Sequence, residues 1–272
     1  MITHTDMGYN GRLGNQLFIY ALLFKLKMLN KEVFIPKYNT MSVKQDGCFD
    51  TYHKKWLDYR CVLYDYFDLN IELKLQYPTL PKLQEQNMGF NENVLLCDNV
   101  NLSGYFQSWK YFDDVREELL KELKFKDVII NKANDIYNKY TNRKTIGIHI
   151  RLGDTLGQPW MHKLSPEYIS EVMELLPEED YQFLIFSDNI EYCKEWFPED
   201  DRLYFENGLT EAESLYMLSL CDNLILSGST FSWWAAYLNK KGGMKIFPDY
   251  FDGSNRDLYV FYHPSWTRIK IK

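Results

Sequence analysis

The stretch Ile146-Gly147-Ile148-His149-Ile150-Arg151-Leu152-Gly153-Asp154 constrains this chain more than any other. Isoleucines at every second position read as a buried β-strand, which delivers a His, an Arg and an Asp to the point where it ends. In an open α/β sheet, ligands bind in the crevice outside the carboxyl ends of the strands. Alternation sets His149 and Arg151 on one face, and Gly153 permits a sharp turn after them. A guanidinium fork matches phosphate or carboxylate. The strand end therefore reads as an anion clamp.

The second half of the chain has a βαβ rhythm around this strand. A strand over 145–150 leads to a helix over about 165–176, with Pro166 in its first turn, and then to a strand over 181–186 that ends in Ser187-Asp188. A helix over 191–196, a strand over 203–205 and a helix over 210–221 precede a strand over 223–226. That strand runs out into Ser227-Gly228-Ser229-Thr230. The apolar run 231–238 reads as a buried helix capped by Ser229 or Thr230, which makes Trp233 and Trp234 core residues rather than a sugar platform. A strand over 245–247 and a coil-rich tail follow. If the sheet is parallel, His149/Arg151/Asp154, Ser187/Asp188 and Ser229/Thr230 converge on one edge. A phosphate-bearing ligand there meets Arg151, two hydroxyls and the N–H groups of a helix start.

The first half opens as a β-loop-α-β unit: a strand over 2–7, the Gly-rich turn Gly8-Tyr9-Asn10-Gly11-Arg12-Leu13-Gly14, an apolar helix over about 15–30 and a strand over 32–35. The turn is not the G-x-G-x-x-G dinucleotide fingerprint. Residues 37–98 lack a sustained period and read as loops and short helices, up to a short strand over 94–97. An amphipathic helix over about 113–123 takes Asp113 as its N-cap. The polar segment 138–144 marks the domain boundary, giving domains 1–142 and 143–272.

Composition narrows the function. The 272 residues are 46% hydrophobic, enough for real cores, and the net charge of −7 lacks the basic footprint of a nucleic-acid binder. Five cysteines are widely spread without a C-x-x-C pair, which points to a reduced compartment. No signal peptide opens the chain, and the apolar run 17–26 is too short to span a bilayer. The expectation is a soluble, cytoplasmic protein, at most peripheral to the inner face of a membrane. No Asp-x-Asp, Walker loop or H-E-x-x-H pair occurs in the sequence, so no metal ligands are assigned. The charge of a departing diphosphate then falls to Arg151 and helix N–H dipoles.

Five motifs in order, Gly11-Arg12-Leu13-Gly14-Asn15-Gln16-Leu17-Phe18, Gly104-Tyr105-Phe106-Gln107-Ser108, His149-Ile150-Arg151-Leu152-Gly153-Asp154, Phe186-Ser187-Asp188 and Ser229-Thr230-Phe231-Ser232-Trp233-Trp234, resemble those of glycosyltransferase family 11, the α-1,2-fucosyltransferases. The resemblance implies a GT-B-like α/β architecture of two facing Rossmann-like domains. The C-terminal one would bind the nucleotide sugar through a parallel sheet, and the N-terminal one would contribute its Gly-rich loop and most of the acceptor site. It implies inverting, metal-independent transfer of L-fucose from GDP-β-L-fucose to a galactose 2-hydroxyl, with no cofactor besides the donor, as in surface polysaccharide synthesis. By position, Arg151 matches the arginine that contacts the pyrophosphate, flanked by His149 and Asp154. Arg12, Gly14, Asn15 and Gln16 match the loop that closes over phosphate and fucose. Ser187, Asp188, Ser229, Thr230 and Phe231 match the surroundings of the nucleotide, and Glu213 is the carboxylate nearest the position expected to read guanine. One departure stands out: where the family has His-x-Arg-Arg-Gly-Asp, Leu152 replaces the second arginine.

An inverting transfer requires the acceptor hydroxyl to attack opposite the departing diphosphate. Its deprotonation falls, by sequence, to His4, Asp6, His149 or Asp154. A transferase for another nucleotide sugar, or a catalytically weak binding protein of the same fold, shares every phosphate contact and differs only in the base and sugar pockets.

Overall fold

In the computed structural model, which describes residues 1–9, 11–41, 60–140, 142–152, 164–176, 180–197, 199–249 and 261–270, with backbone alone at 49–50 and 55–56, each half of the chain builds its own parallel sheet. Two compact units result: Met1–Lys126 with Tyr259–Tyr262, and Asp127–Leu258 with His263–Lys272.

The first unit is organised by one apolar helix. Strand β1 (Ile2–Thr3) gives way to turns at once rather than running to Met7, and helix α1 (Leu13–Met28) comes next. Leu13, Leu17, Phe18, Ile19, Leu22, Leu23 and Leu26 are all 1% exposed or less, so the helix is buried on every side. It ends at Asn30, whose φ of 61° reverses the chain. Strand β2 (Phe34–Pro36), a short antiparallel pair β3 (Phe49–Asp50) and β4 (Lys55–Trp56), helix α2 (Leu63–Tyr66) and strands β5 (Glu72–Lys74) and β6 (Lys82–Gln84) succeed it. Then come helix α3 (Asn93–Leu96), strand β7 (Val100–Ser103) and helix α4 (Arg116–Glu122). Sheet order is β1-β7-β6, all parallel, and β2 pairs in parallel with β5.

Further local expectations are corrected in this unit, beginning with residues 37–98, which read as loops and short helices but carry strands β3 to β6. The apolar run at 94–97 is helical, not extended: the Asn91 side chain accepts the Asn93 N–H at 3.1 Å and turns the chain, and Leu96 is 73% exposed. A run this short carries no period to separate helix from strand. Asp113 is not the N-cap of α4. It opens a 3₁₀ turn (Asp113–Val115) that leads into the helix, while its neighbour Asp114 pairs with the buried Lys25.

The second unit begins with helix α5 (Asp127–Tyr137), which buries Ile129, Ala133 and Tyr137 at four-residue spacing. Tyr137 reaches Thr145 Oγ1 at 3.0 Å and donates to the Leu220 carbonyl at 2.8 Å. These bonds tie α5 to the rest of this unit, so it starts at Asp127, ahead of the polar segment 138–144 on which the sequence set its boundary. Strand β8 (Lys144–Ile150), helix α6 (Pro166–Glu174), strand β9 (Tyr181–Ser187), helix α7 (Ile190–Lys194), strand β10 (Leu203–Phe205), helix α8 (Glu211–Leu220), strand β11 (Asn223–Leu226), helix α9 (Thr230–Leu238) and strand β12 (Lys245–Pro248) alternate. The tail adds strand β13 (Thr267–Ile269), where the sequence suggested only coil.

The six strands are parallel in the order β10-β9-β8-β11-β12-β13. Counted along the chain, this is 3-2-1-4-5-6. Winding reverses between β8 and β11, and such a switch point is where doubly wound sheets bind ligands. Gly147 sits mid-strand because a Cβ there would lie 2.9 Å from Leu218 and Leu224 and 3.0 Å from the Cys221 sulfur, where α8 presses on the sheet. On one face Ile146, Ile148, Ile150 and Leu152 pack in one apolar cluster with Tyr168, Ile169 and Val172 of α6. Trp233 and Trp234 are fully buried, as core residues.

Candidate functional site

The switch point is closed by one hydroxyl. Leu226 pairs with His149 in register, and the next residue, Ser227, donates both its N–H and its Oγ–H to the His149 carbonyl, at 3.1 and 2.8 Å. The same Oγ accepts the Arg151 N–H at 2.8 Å. Ser227 is 4% exposed, so these bonds are made away from water. Loss of its hydroxyl would leave a buried N–H without its acceptor.

On the opposite side, β9 contributes Asp188. Ile150 pairs with Ser187, which puts Asp188 just beyond the strand end. Its Oδ1 accepts the Leu152 N–H at 2.8 Å, and its Oδ2 lies 2.6 Å from the Arg151 Nη1. The two side chains are only 20% and 17% exposed. Arg151 is thus fixed by Ser227 on the β11 side and by Asp188 on the β9 side. Leu152 points the other way, fully buried in the cluster beneath α6. The position where the family carries a second arginine therefore belongs to the core.

The third strand end leads into α9. Ser229 is its N-cap, accepting the Ser232 N–H at 3.1 Å and donating to Ser232 Oγ at 3.1 Å. Ser232 Oγ lies 2.6 Å from His149 Nδ1, and the Phe231 ring sits 4.9 Å from the imidazole. Burial pushes the His149 pKa down to about 4, against a smaller upward pull from Asp188, so the ring is neutral at pH 7. Its geometry suits a brace between β8 and α9. With the Ser229 side chain capping the helix, the backbone at the start of α9 offers N–H groups beside Arg151's strand, an arrangement that favours anions. The sequence singled out Ser229 and Thr230 but missed Ser227 and Ser232, the hydroxyls that reach β8. The signal was available: Ser227 directly follows the strand, and Ser232 lies three residues beyond the cap.

Glu213 stands in the first turn of α8. It completes a capping box on α8, in which Thr210 Oγ1 accepts the Glu213 N–H and the Glu213 carboxylate accepts the Thr210 N–H at 2.7 Å. The same Oε2 pairs with Lys132 of α5 at 2.9 Å. Asp154 lies outside the described residues.

In the first unit, the Gly-rich turn is built by close approach. Gly8 has φ of 96°, and a Cβ there would lie 2.3 Å from the Cys61 nitrogen; at Gly11, φ 98°, a Cβ would lie 2.2 Å from the Asn15 side chain. Gln16 is 2% exposed, and its amide is engaged by backbone: Nε2 donates to the Gly11 and Arg60 carbonyls, and Oε1 accepts the Val62 N–H. Gln16 thus holds the turn in place. Gly14 is buried within α1, Arg12 is exposed just before it, and Asn15 is half-buried, accepting from Gln107 Nε2 at 2.9 Å. Glu85, which the sequence did not flag, accepts the Tyr105 and Phe106 N–H groups and so fixes the turn that carries Gln107. His4 is fully buried with Nε2 on the Gly104 carbonyl, and burial lowers its pKa. Asp6, just past β1, keeps about a third of its side chain exposed (34%), beside Ser103 and Lys82. Of the described candidates for deprotonation, Asp6 is the one open to solvent.

A strand switch point with one clamped arginine and a helix start has the chemistry to hold an anion. A profile of glycosyl transferase family 11 matches residues 2–270, and the chain belongs to that family and is a glycosyltransferase. The O-antigen biosynthesis glycosyltransferase WbnK of Escherichia coli is 27% identical over 304 residues, covering 96% of this chain and 98% of that one. An alpha-1,2-colitosyltransferase of the same organism is 29% identical over 191 residues, covering 65% of each. The galactoside alpha-(1,2)-fucosyltransferase 2 of Oryctolagus cuniculus is 23% identical over 93% of this chain and 72% of its own. Among solved structures, the Bradyrhizobium fucosyltransferase NodZ aligns with TM-score 0.53 at 11% identity, covering 86% of this chain and 92% of that one, a likeness of fold. The fold class is GT-B-like α/β.

Proposed function

We propose that this glycosyltransferase moves L-fucose from GDP-β-L-fucose to the 2-hydroxyl of a galactose-containing glycan, inverting the anomeric centre and using no metal. The observation that carries the reading is Arg151, clamped at the switch point beside the start of α9, in a chain whose relatives include one named for α-(1,2)-fucosyl transfer. As the sugar–oxygen bond breaks, negative charge grows on the diphosphate. A guanidinium and helix N–H groups already aimed at that charge lower the barrier without reorganising. Ser229, Thr230 and Phe231 would line the nucleotide. The donor would be held by the second unit, which starts at Asp127, and the acceptor side would be the first. The setting is the cytoplasm, at the inner face of the membrane, in surface polysaccharide synthesis; no helix among the described residues is long and apolar enough to cross a membrane.

A second reading, a donor related to fucose, is favoured by the relative named for α-1,2-colitosyl transfer. One screen separates the readings: GDP-fucose, GDP-mannose, UDP-galactose and an activated colitose, each with simple β-galactosides, with and without EDTA. The expected result is an α-1,2-fucosylated product at a rate unchanged by EDTA. Turnover with the colitose donor alone selects the second reading, and EDTA-sensitive turnover contradicts the metal-free chemistry.

A further inference from the structure

Asp188 stands just past the second strand of a 3-2-1-4-5-6 sheet. In dinucleotide-binding sheets of that order, an acidic residue about twenty residues beyond the first turn hydrogen-bonds the ribose. Here the carboxylate turns back on the sheet. One oxygen takes the Leu152 N–H at 2.8 Å and the other lies 2.6 Å from the Arg151 guanidinium. We propose that Asp188 is a positioning residue: it holds the Arg151 guanidinium in the orientation that meets the leaving diphosphate, and it does not read the nucleotide.

Three features converge on this assignment. The pair is about four-fifths buried, so the carboxylate is poorly exposed to a ligand hydroxyl but strongly coupled to its cation. The carboxylate grips backbone and side chain of adjacent residues at once, which fixes the guanidinium relative to the end of β8. Finally, Leu152 is sunk in the core, so no second guanidinium shares the task at that position. A lone arginine with a long flexible stem contributes to a transition state only if its geometry is set beforehand. Asp188 partly neutralises Arg151 in the free enzyme, so it weakens rather than strengthens ground-state attraction for GDP. Its contribution should therefore appear in the chemical step.

The inference rests on the proposed use of a GDP-linked donor, and its test is a split between kcat and affinity. Wild type, Asp188→Asn and Asp188→Glu are compared for transfer from GDP-fucose, and for binding of GDP and 2′-deoxy-GDP by calorimetry. Asp188→Asn keeps the shape and removes the charge; kcat is expected to fall roughly ten- to a hundredfold while GDP affinity stays equal or rises. Asp188→Glu, with its charge displaced by one methylene, is expected to recover part of that loss. A kcat within about twofold of wild type in Asp188→Asn overturns the assignment. So does a tenfold loss of GDP affinity that 2′-deoxy-GDP does not share, which would make Asp188 a ribose reader. If the Asn variant fails to fold, the Glu variant decides: lowered kcat at unchanged GDP affinity supports positioning, and unchanged kcat overturns it. A wild-type protein that binds no GDP removes the functional reading and this inference with it, whereas full activity in Asp188→Asn removes the inference alone.

Discussion

Replacing Arg151 by alanine is expected to slow transfer at least about a hundredfold, equivalent to ~2.7 kcal/mol of transition-state stabilisation. Two effects act in the same direction. The guanidinium proposed to meet the growing diphosphate charge is gone, and Asp188, only 17% exposed, loses its counter-ion. The residual N–H groups at the start of α9 still attract an anion, so GDP binding should weaken less than turnover does. Arg151→Lys retains the charge, but an ammonium is a point donor on a flexible stem and lacks the planar fork, so it should restore little of the rate. Initial rates at saturating donor, with GDP affinity measured beside them, check both statements. An Arg151→Ala enzyme that keeps more than about a tenth of wild-type kcat contradicts the assignment.

Leu152→Arg is expected to destabilise rather than improve this enzyme. The family motif invites the substitution, since it would restore the missing second arginine. Leu152, however, is fully buried among Ile150, Leu164, Tyr168 and their neighbours beneath α6. A guanidinium there loses its hydration, meets apolar side chains and overfills a packed space. The expected cost is about 3–5 kcal/mol, or a fall of roughly 10 °C in the unfolding midpoint. Leu152→Met, which nearly conserves volume, should cost less than about 1.5 kcal/mol. Thermal unfolding of the two variants against wild type distinguishes packing from position. An arginine variant as stable as wild type and faster in transfer would mean that residue 152 faces the ligand.

The second unit was largely legible in the sequence because its signals are local and repeated. Isoleucines at 146, 148 and 150 state a strand, and Ser165 before Pro166 states a helix start. The serines past β11 state a cap, and Ser229 is that cap. Convergence of His149, Arg151, Asp188 and Ser229 on one sheet edge follows from parallel pairing, and the pairing is parallel throughout this sheet. The partners within that edge could not be read. Arg151 beside Asp188 joins residues 37 apart in the chain, and His149 beside Ser232 joins residues 83 apart. Gln16 and Glu213 illustrate the opposite case. Both stand in or near motifs, yet one holds a turn through three backbone groups and the other caps a helix. The first unit was harder because its strands are two to four residues long, too short to show a period.

The central claim is that GDP seats at the switch point between β8 and β11. Hydrogen exchange of the backbone amides, with and without saturating GDP, locates the ligand without relying on turnover. Binding to the folded state protects the amides it covers. Slowed exchange is expected in the segments 151–152 and 227–232, and less of it in Arg151→Ala at the same GDP concentration. Protection confined to other segments, with these two unchanged, would contradict it.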